Sequence, residues 1–279
     1  MNLHDTAPAA TASADYGSKE HYLLQRAVRS NGLIIVIAIV FLIGFLQFLA
    51  VVVVRDPLFL PAPSEVLSTA IKLANSGKLG TDITVSLEEA GIGFGIASIV
   101  GVSLGAIMAR FRLFGRFVRP CISAANATPI IALGPLFILW FGLGLLAKVA
   151  VVFSICIFPI IINTNKGLTS APDNLVEVTR SFGANNWQIF KKILFPSALP
   201  MIVAGERLAA ALSLIGVVVA EFFGSSAGLG YLIFNASQTF ATASLFVGIA
   251  ILAGVGIVVV ECLALMERRL APWREEDAE

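Results

Sequence analysis

Charge is what this chain of 279 residues has least of. Asp, Glu, Lys and Arg make up 13% of it, against about a quarter in soluble globular proteins. Histidine is scarcer still: His4 and His21 are the two present, both near the N-terminus, so no His-based metal or catalytic cluster can be assembled. Three cysteines, Cys121, Cys156 and Cys262, lie scattered in apolar runs without CxxC spacing. That excludes a disulfide framework and a thiolate metal site and leaves them as small packing residues. A net charge of +1 argues against nucleic acid or any other polyanion as a partner. What is abundant is oil. The chain is 57% hydrophobic with a mean hydropathy of +0.89, more apolar surface than one globular core of this length can use. A soluble enzyme is excluded, and a polytopic membrane protein is expected.

Charges are costly in hydrocarbon, so uncharged stretches measure the spans. Ser30–Val54 holds 25 residues without charge, Ala90–Ala109 holds 20, Pro120–Ala147 holds 28 and Val149–Asn165 holds 17. Leu208–Ala220 holds 13 and Phe222–Val260 holds 39. A spanning helix needs about 20 apolar residues, and the longest run is interrupted by the turn-rich Gly224–Gly230. Six helices result, near 32–54, 84–109, 117–140, 147–165, 200–222 and 242–266. Pro129 and Pro135 should kink or break the third. With six spans, Arg55, Lys72, Lys78 and Lys148 fall on one side and the other 15 of the 19 Lys and Arg on the other. Both termini are therefore expected in the cytoplasm. The division is a cytoplasmic tail over 1–30, a membrane domain over 31–270 and a cytoplasmic tail over 271–279. The Ala-, Ser- and Thr-rich start reads as a disordered tail, and no signal peptide is expected, because the first apolar run begins late and is too long. Ser64-Glu65-Val66-Leu67, after Leu60-Pro61-Ala62-Pro63, opens a short amphipathic helix at the outer surface.

Small residues at Gly91, Gly95, Ser98, Gly101, Gly105 and Ala109 recur at steps of three and four, which predicts one face of the second span in close contact with another helix. The longest polar insertion, 166–200, is punctuated too well for a random linker. Pro172-Asp173-Asn174 starts a helix with Leu175, Val176 and Val178 on its apolar side, and Gly183 stops it. Asn185-Asn186 caps a second short helix, Trp187 to Leu194, which Pro196 ends before Pro200 opens the fifth span. Two short helices joined at a glycine and tied to two spans have the form of a cytoplasmic docking element. No GxxxxGK[ST] is present, so the chain is not expected to hydrolyse ATP. Gly142-Leu143-Gly144-Leu145-Leu146-Ala147 matches a dinucleotide fingerprint only formally, since no strand precedes it.

Glu177-Val178-Thr179-Arg180-Ser181-Phe182-Gly183-Ala184, followed by Ile193-Leu194-Phe195-Pro196 and Pro200, resembles the EAA loop of permease subunits of bacterial ABC importers. Val178 and Thr179 depart from its two alanines. Thr128-Pro129 to Trp140-Phe141-Gly142, Ala204-Gly205-Glu206-Arg207-Leu208, Glu221 and Gly228-Leu229-Gly230-Tyr231 extend the likeness over about 60–275, toward the branch that imports nitrate, sulfonates, taurine and related compounds. The resemblance implies an all-α, six-span, type I importer permease in the bacterial inner membrane. A second copy of the chain, two cytoplasmic ABC ATPase subunits carrying ATP and Mg²⁺, and a periplasmic binding protein would complete it. No cofactor, metal or catalytic residue would sit on this chain, and membrane lipid would surround it. Glu177, Ser181, Phe182, Gly183, Ala184 and Trp187 would then contact the ATPase.

Glu221 is an intramembrane acid, a functional candidate or a structural one in equal measure. Asn126, Thr128 and Asn163, like Thr164, Asn235 and Gln238, are polar groups that either line a path or bond helices together. The adjacent acids Glu88-Glu89 read as interfacial. An ion-coupled secondary transporter is the alternative function, although it leaves 166–200 unexplained. A topology test follows: a cysteine at 185 should react with impermeant thiol reagents from the cytoplasmic side, and one at 75 from the opposite side. Reaction of both from one side would refute the six-span order.

Overall fold

A computed structural model describes residues 34 and 36–270; the tails expected over 1–30 and 271–279 lie outside these. The chain divides into two units, Met1–Glu65 and Val66–Glu279. In the first, α1 (Val36–Val54) is apolar and almost wholly exposed, as a lipid-facing span requires. Its last turn widens to π geometry over Leu49–Val54 and stops at Arg55, whose φ is +56° and whose Nε donates to the Val52 carbonyl at 2.9 Å. Gln47 exchanges two 3.2 Å hydrogen bonds with Ser64, in the first turn of α2 (Pro63–Asn75).

The second unit is built on three long helices: α3 (Lys78–Arg110), α6 (Leu145–Thr169) and α9 (Phe195–Phe222). Lipid supplies no hydrophobic drive between helices, so association rests on close van der Waals approach. A Cβ placed on Gly93, Gly101 or Gly105 of α3 would lie 2.6–2.8 Å from Val152, Ile160 or Thr164 of α6. The close-contact stripe is thus Gly93, Ala97, Gly101 and Gly105, four residues apart. Gly91 and Gly95, expected in it, have open space instead. On the other side of α6, Gly205 seats against Asn163 and Gly216 against Val152. Ala97, Cys156, Ile160, Ala209 and Val217 between the three helices are fully buried.

These contacts also give direction. Partners on α3 and α6 advance together along both chains, so the two helices run parallel, whereas α9 runs against α6. Two parallel spans require the chain between them to return across the membrane. It does so as a bent pair: α4 (Arg112–Ala127), then a 3₁₀ turn over Ile130–Leu133 and α5 (Gly134–Phe141), at 79° to one another. Counting this pair as one span gives the expected six. The break is at Pro129, which forces Thr128 into extended geometry (ψ 132°). Pro135 breaks nothing, because it lies in the first turn of α5, where its missing N–H has no intrahelical partner to lose.

After α6 come α7 (Asp173–Ser181) and α8 (Asn186–Ile189). The expected stop at Pro196 does not occur: α8, a π segment over Phe190–Leu194 and α9 form one continuous helix, Asn186–Phe222. The wider turn comes directly before Pro196, where α geometry would set the ring against the Lys192 carbonyl. Then α10 (Leu229–Gln238) and α11 (Thr242–Leu270) close the unit, with Leu232 and Val247 packed on Leu79 and on the inner face of α2. Among the described residues no strand occurs. Gly101→Leu should cost about 1–3 kcal/mol by overpacking and lower the thermal midpoint in detergent, while Gly95→Leu should leave it unchanged. Equal effects of the two would contradict this packing.

Candidate functional site

The polar element between α6 and α9 is shaped by backbone chemistry that its sequence dictates. Phe182 is the last residue before a glycine at φ +82°. The Gly183 N–H donates to the Arg180 carbonyl at 2.9 Å and the Ala184 N–H to the Thr179 carbonyl at 3.3 Å, the paired bonds of a Schellman stop. Two residues later Asn185 and Gln188 form a capping box. The Gln188 N–H donates to Asn185 Oδ1 at 2.8 Å and the Asn185 N–H to Gln188 Oε1 at 2.9 Å. The turn between α7 and α8 is therefore fixed at both ends. Ile189 anchors it in the protein, being 3% exposed, and Trp187 stacks on Phe190 with ring centroids 5.7 Å apart.

That rigid corner presents apolar side chains outward. Phe182 is 87% exposed, Trp187 68%, and Val178 and Leu175 about half. Glu177 and Ser181 are exposed beside them, with Ser181 Oγ donating to the Glu177 carbonyl, and Ala184 is half-buried. Five of the six expected contact residues thus lie on one exposed corner, with Ala184 at its base.

The four membrane candidates are not gathered into one site. Asn126 and Thr128 are exposed at the break between α4 and α5, with Thr128 Oγ1 donating to the Ala124 carbonyl at 3.1 Å. Asn163 is half-buried between α6 and α9, its Nδ2 donating to the Pro159 carbonyl at 2.8 Å. Glu221, 1% exposed, stands in the seam of α3, α9 and α10. Its Oε1 accepts from Ser86 Oγ at 2.6 Å, and its Oε2 from the Gly230 and Tyr231 N–H groups at 2.5 and 3.2 Å. The Leu229 N–H donates to Ser86 Oγ and the Gly228 N–H to Asp82 Oδ1. The four orphan donors at the start of α10 are thus met by side chains of two other helices, and the carboxylates complement the helix dipole. Gly228 and Gly230 are required because a Cβ on either would strike the Glu221 carboxylate.

Beside this cap, Lys148 of α6 donates to Glu89 Oε1 at 2.5 Å and to Ser225 Oγ at 2.8 Å. Glu89 is 4% exposed and does not stand alone: its partner is 59 residues away in sequence. Asp82, Ser86 and Glu89, four and then three residues apart in sequence, share one face of α3 and turn it toward Lys148 and the start of α10. Further along α3, Ser98 Oγ donates to Glu206 Oε1 of α9 at 2.7 Å, a second bond between these two helices after Ser86–Glu221. At the opposite end Arg119 of α4 reaches Asn165 of α6 at 3.1 Å. Among the described residues, no cluster of three or more His, Cys, Asp or Glu is placed to hold a metal ion.

Removing the cation alone should leave Glu89 buried and uncompensated. Lys148→Met is expected to cost about 3–5 kcal/mol, and the double variant Lys148→Met/Glu89→Gln to recover most of it, read as thermal midpoints in detergent. A double variant no more stable than the single would disprove the pairing.

Comparison with known proteins places this geometry. Residues 101–272 match the family described as binding-protein-dependent transport system inner membrane component. The chain is 33% identical to the formylaminopyrimidine transport permease protein ThiX of Halalkalibacterium halodurans, over 80% of this chain and 89% of that one. It is 27% identical to the taurine transport system permease protein TauC of Escherichia coli, over 79% and 82% respectively. Among solved structures, the inward-facing methionine ABC transporter MetNI superposes with a TM-score of 0.59 at 18% identity, covering 66% of this chain and 92% of that chain, which shows a shared fold.

Proposed function

The chain belongs to the family of binding-protein-dependent transport system inner membrane components, and from that premise we propose how this permease subunit of an ABC importer works. Two copies enclose a translocation path for a small solute, an anion such as nitrate, a sulfonate, taurine or a related organic acid, delivered by a periplasmic binding protein. The membrane is the bacterial inner membrane. ATP and Mg²⁺ belong to two separate ATPase subunits, and this chain contributes the passage and the grip.

The observation that carries the reading is the exposed corner of Phe182 and Gly183, at the end of α7, and Trp187, in the first turn of the helix continuous with α9. An aromatic patch so open at the end of a membrane helix is suited to a groove on a partner protein. Glu177 offers a carboxylate to a basic or amide group there, and Ser181 and Ala184 add contact area. Because the corner continues into α9 without a flexible joint, closure of the ATPase pair draws the corners together and tilts the spans, the rigid-body form of alternating access. The path side is supported by a solvation argument. Non-helical backbone at membrane depth is tolerated only against protein or water. The exposed break at Thr128-Pro129, with Asn126 beside it, therefore faces the second copy or the path, and Asn163 adds a polar group between α6 and α9.

Phe182→Ala and Glu177→Arg should insert normally yet lower ATP-driven uptake at least tenfold while ATP hydrolysis by the assembled complex persists. Gly183→Trp, which forces a side chain into φ +82°, should do the same. Unaltered uptake in all three would sink the docking assignment, and uptake that persists without ATP under a proton gradient would favour an ion-coupled carrier.

A further inference from the structure

Where α3 ends and α4 begins, positive charge is concentrated: Arg110, Arg112, Arg116 and Arg119 fall within ten residues. No Asp or Glu occurs between Glu89 and Asp173, and no ion pair among the described residues involves any of the four. Arg119 has a neutral partner, Asn165, at 3.1 Å. The guanidinium carbon of Arg110 lies 5.4 Å from the ring centre of Phe111. Arg110, Arg112 and Arg116 are exposed, so three guanidiniums stand together without a counter-charge among the described residues.

Their depth follows from the uncharged run before them. Ala90–Ala109 holds 20 residues of α3, about 30 Å of helix and so the thickness of a bilayer's hydrocarbon. Arg110 ends that run, which sets the corner at Phe111 at the level of the lipid headgroups. The corner is fixed by backbone contact. Phe111 leaves helical geometry (φ −111°, ψ 89°) while its N–H still donates to the Ile107 carbonyl at 2.9 Å. Gly115 seats on the Met108 carbonyl, where a Cβ would come within 2.6 Å. Beyond the corner the helical period sorts α4 into three faces. Gly115, Val118 and Ile122 lie against the protein. Arg112, Arg116 and Arg119, four and then three residues apart, make a cationic face. Leu113 and Phe117 make the third, 82% and 79% exposed, with Phe111 exposed beside them.

A cationic face next to an exposed aromatic and aliphatic one, at headgroup depth, has the composition of an interfacial element. Water alone would leave Leu113 and Phe117 hydrated, and hydrocarbon alone would leave the guanidiniums unsolvated. We propose that this corner is a binding site for an anionic phospholipid, whose phosphate bridges Arg112 and Arg116 and whose acyl chain covers Leu113 and Phe117. The guanidinium fork matches phosphate oxygens in pairs. A free anion or an acidic protein segment would satisfy the cations and leave the apolar face in water. A zwitterionic lipid brings a cation of its own to the place the arginines occupy. The site is independent of which solute the permease carries and of which leaflet the corner faces.

The test uses the full-length chain, purified in detergent and exchanged into micelles holding equal amounts of phosphatidylglycerol and phosphatidylcholine with matched acyl chains. Native mass spectrometry of the wild type should find phosphatidylglycerol retained about tenfold over phosphatidylcholine, as two arginines beside an anionic headgroup imply. Arg112→Gln/Arg116→Gln should lose that preference, and Lys72→Gln/Lys78→Gln, which removes two cations elsewhere, should keep it. Phosphatidylglycerol should also raise the thermal midpoint of the wild type and not that of Arg112→Gln/Arg116→Gln, and Leu113→Ser/Phe117→Ser should weaken its retention. Equal retention of the two lipids by the wild type would overturn the site without recourse to any variant. A preference unchanged in Arg112→Gln/Arg116→Gln would overturn it too, and loss of ATPase co-purification from that variant would then assign the cations to the ATPase. Displacement of the lipid by soluble glycerol phosphate, with the same rise in midpoint, would overturn it in favour of a free-anion site.

Discussion

Hydrocarbon offers no hydrogen bonds, so every polar group that enters the membrane with this chain must find its partner inside the protein. The architecture follows from that constraint. Helix α10 begins inside the packed unit, and its first N–H groups would be orphans there. Asp82, Ser86 and Glu221 reach them from α3 and α9. The helix dipole compensates those acids in turn, and Lys148 compensates Glu89 beside them. A short helix, a turn and three spans are thereby joined by one network in which each member answers for another. Where the network is absent, at α5, the chain is held by apolar contact alone.

Packing follows the same logic from the apolar side. With lipid as good a solvent for leucine as any protein core, long spans associate only where their backbones come close. Gly93, Gly101 and Gly105 bring α3 onto α6 in parallel, and that choice has a topological price: the chain must cross back between them. Its return is the bent pair α4 and α5. Pro129 sits where the return path turns, and the polar segment around it is exposed. Direction, break and exposed polar surface are consequences of one helix pairing.

Much of this was legible in the residues. Uncharged runs marked the spans within a few residues, since charge in hydrocarbon is costly at every position. Gly183 and Asn185 announced the corner between α7 and α8, because glycine stops and side-chain caps are bonds between neighbours in sequence. Other features were not legible. Glu89 looked solitary because nothing near it in sequence is basic, and Lys148 becomes its partner only once α3 lies on α6. Gly91 and Gly95 fit a helical stripe as well as Gly93 does, and the crossing of the two helices decided between them. Pro196 carries a strong stop signal, yet the π turn before it let the helix continue, an accommodation that local propensity does not encode.

What the sequence alone determined is therefore the set of spans, the punctuated corner between α7 and α8 and the family likeness that the comparisons then established. These rest on the transfer cost of charge and on short-range backbone chemistry, which depend on composition and spacing and hardly on what is distant along the chain. Tertiary structure alone decided which acids are buried, which glycines touch, and that Glu221 caps α10. Each of those depends on atoms brought together from α3, α6 and α9. In a membrane, where any helix can lie against lipid at little cost, only the specific approach of one backbone to another selects the partners.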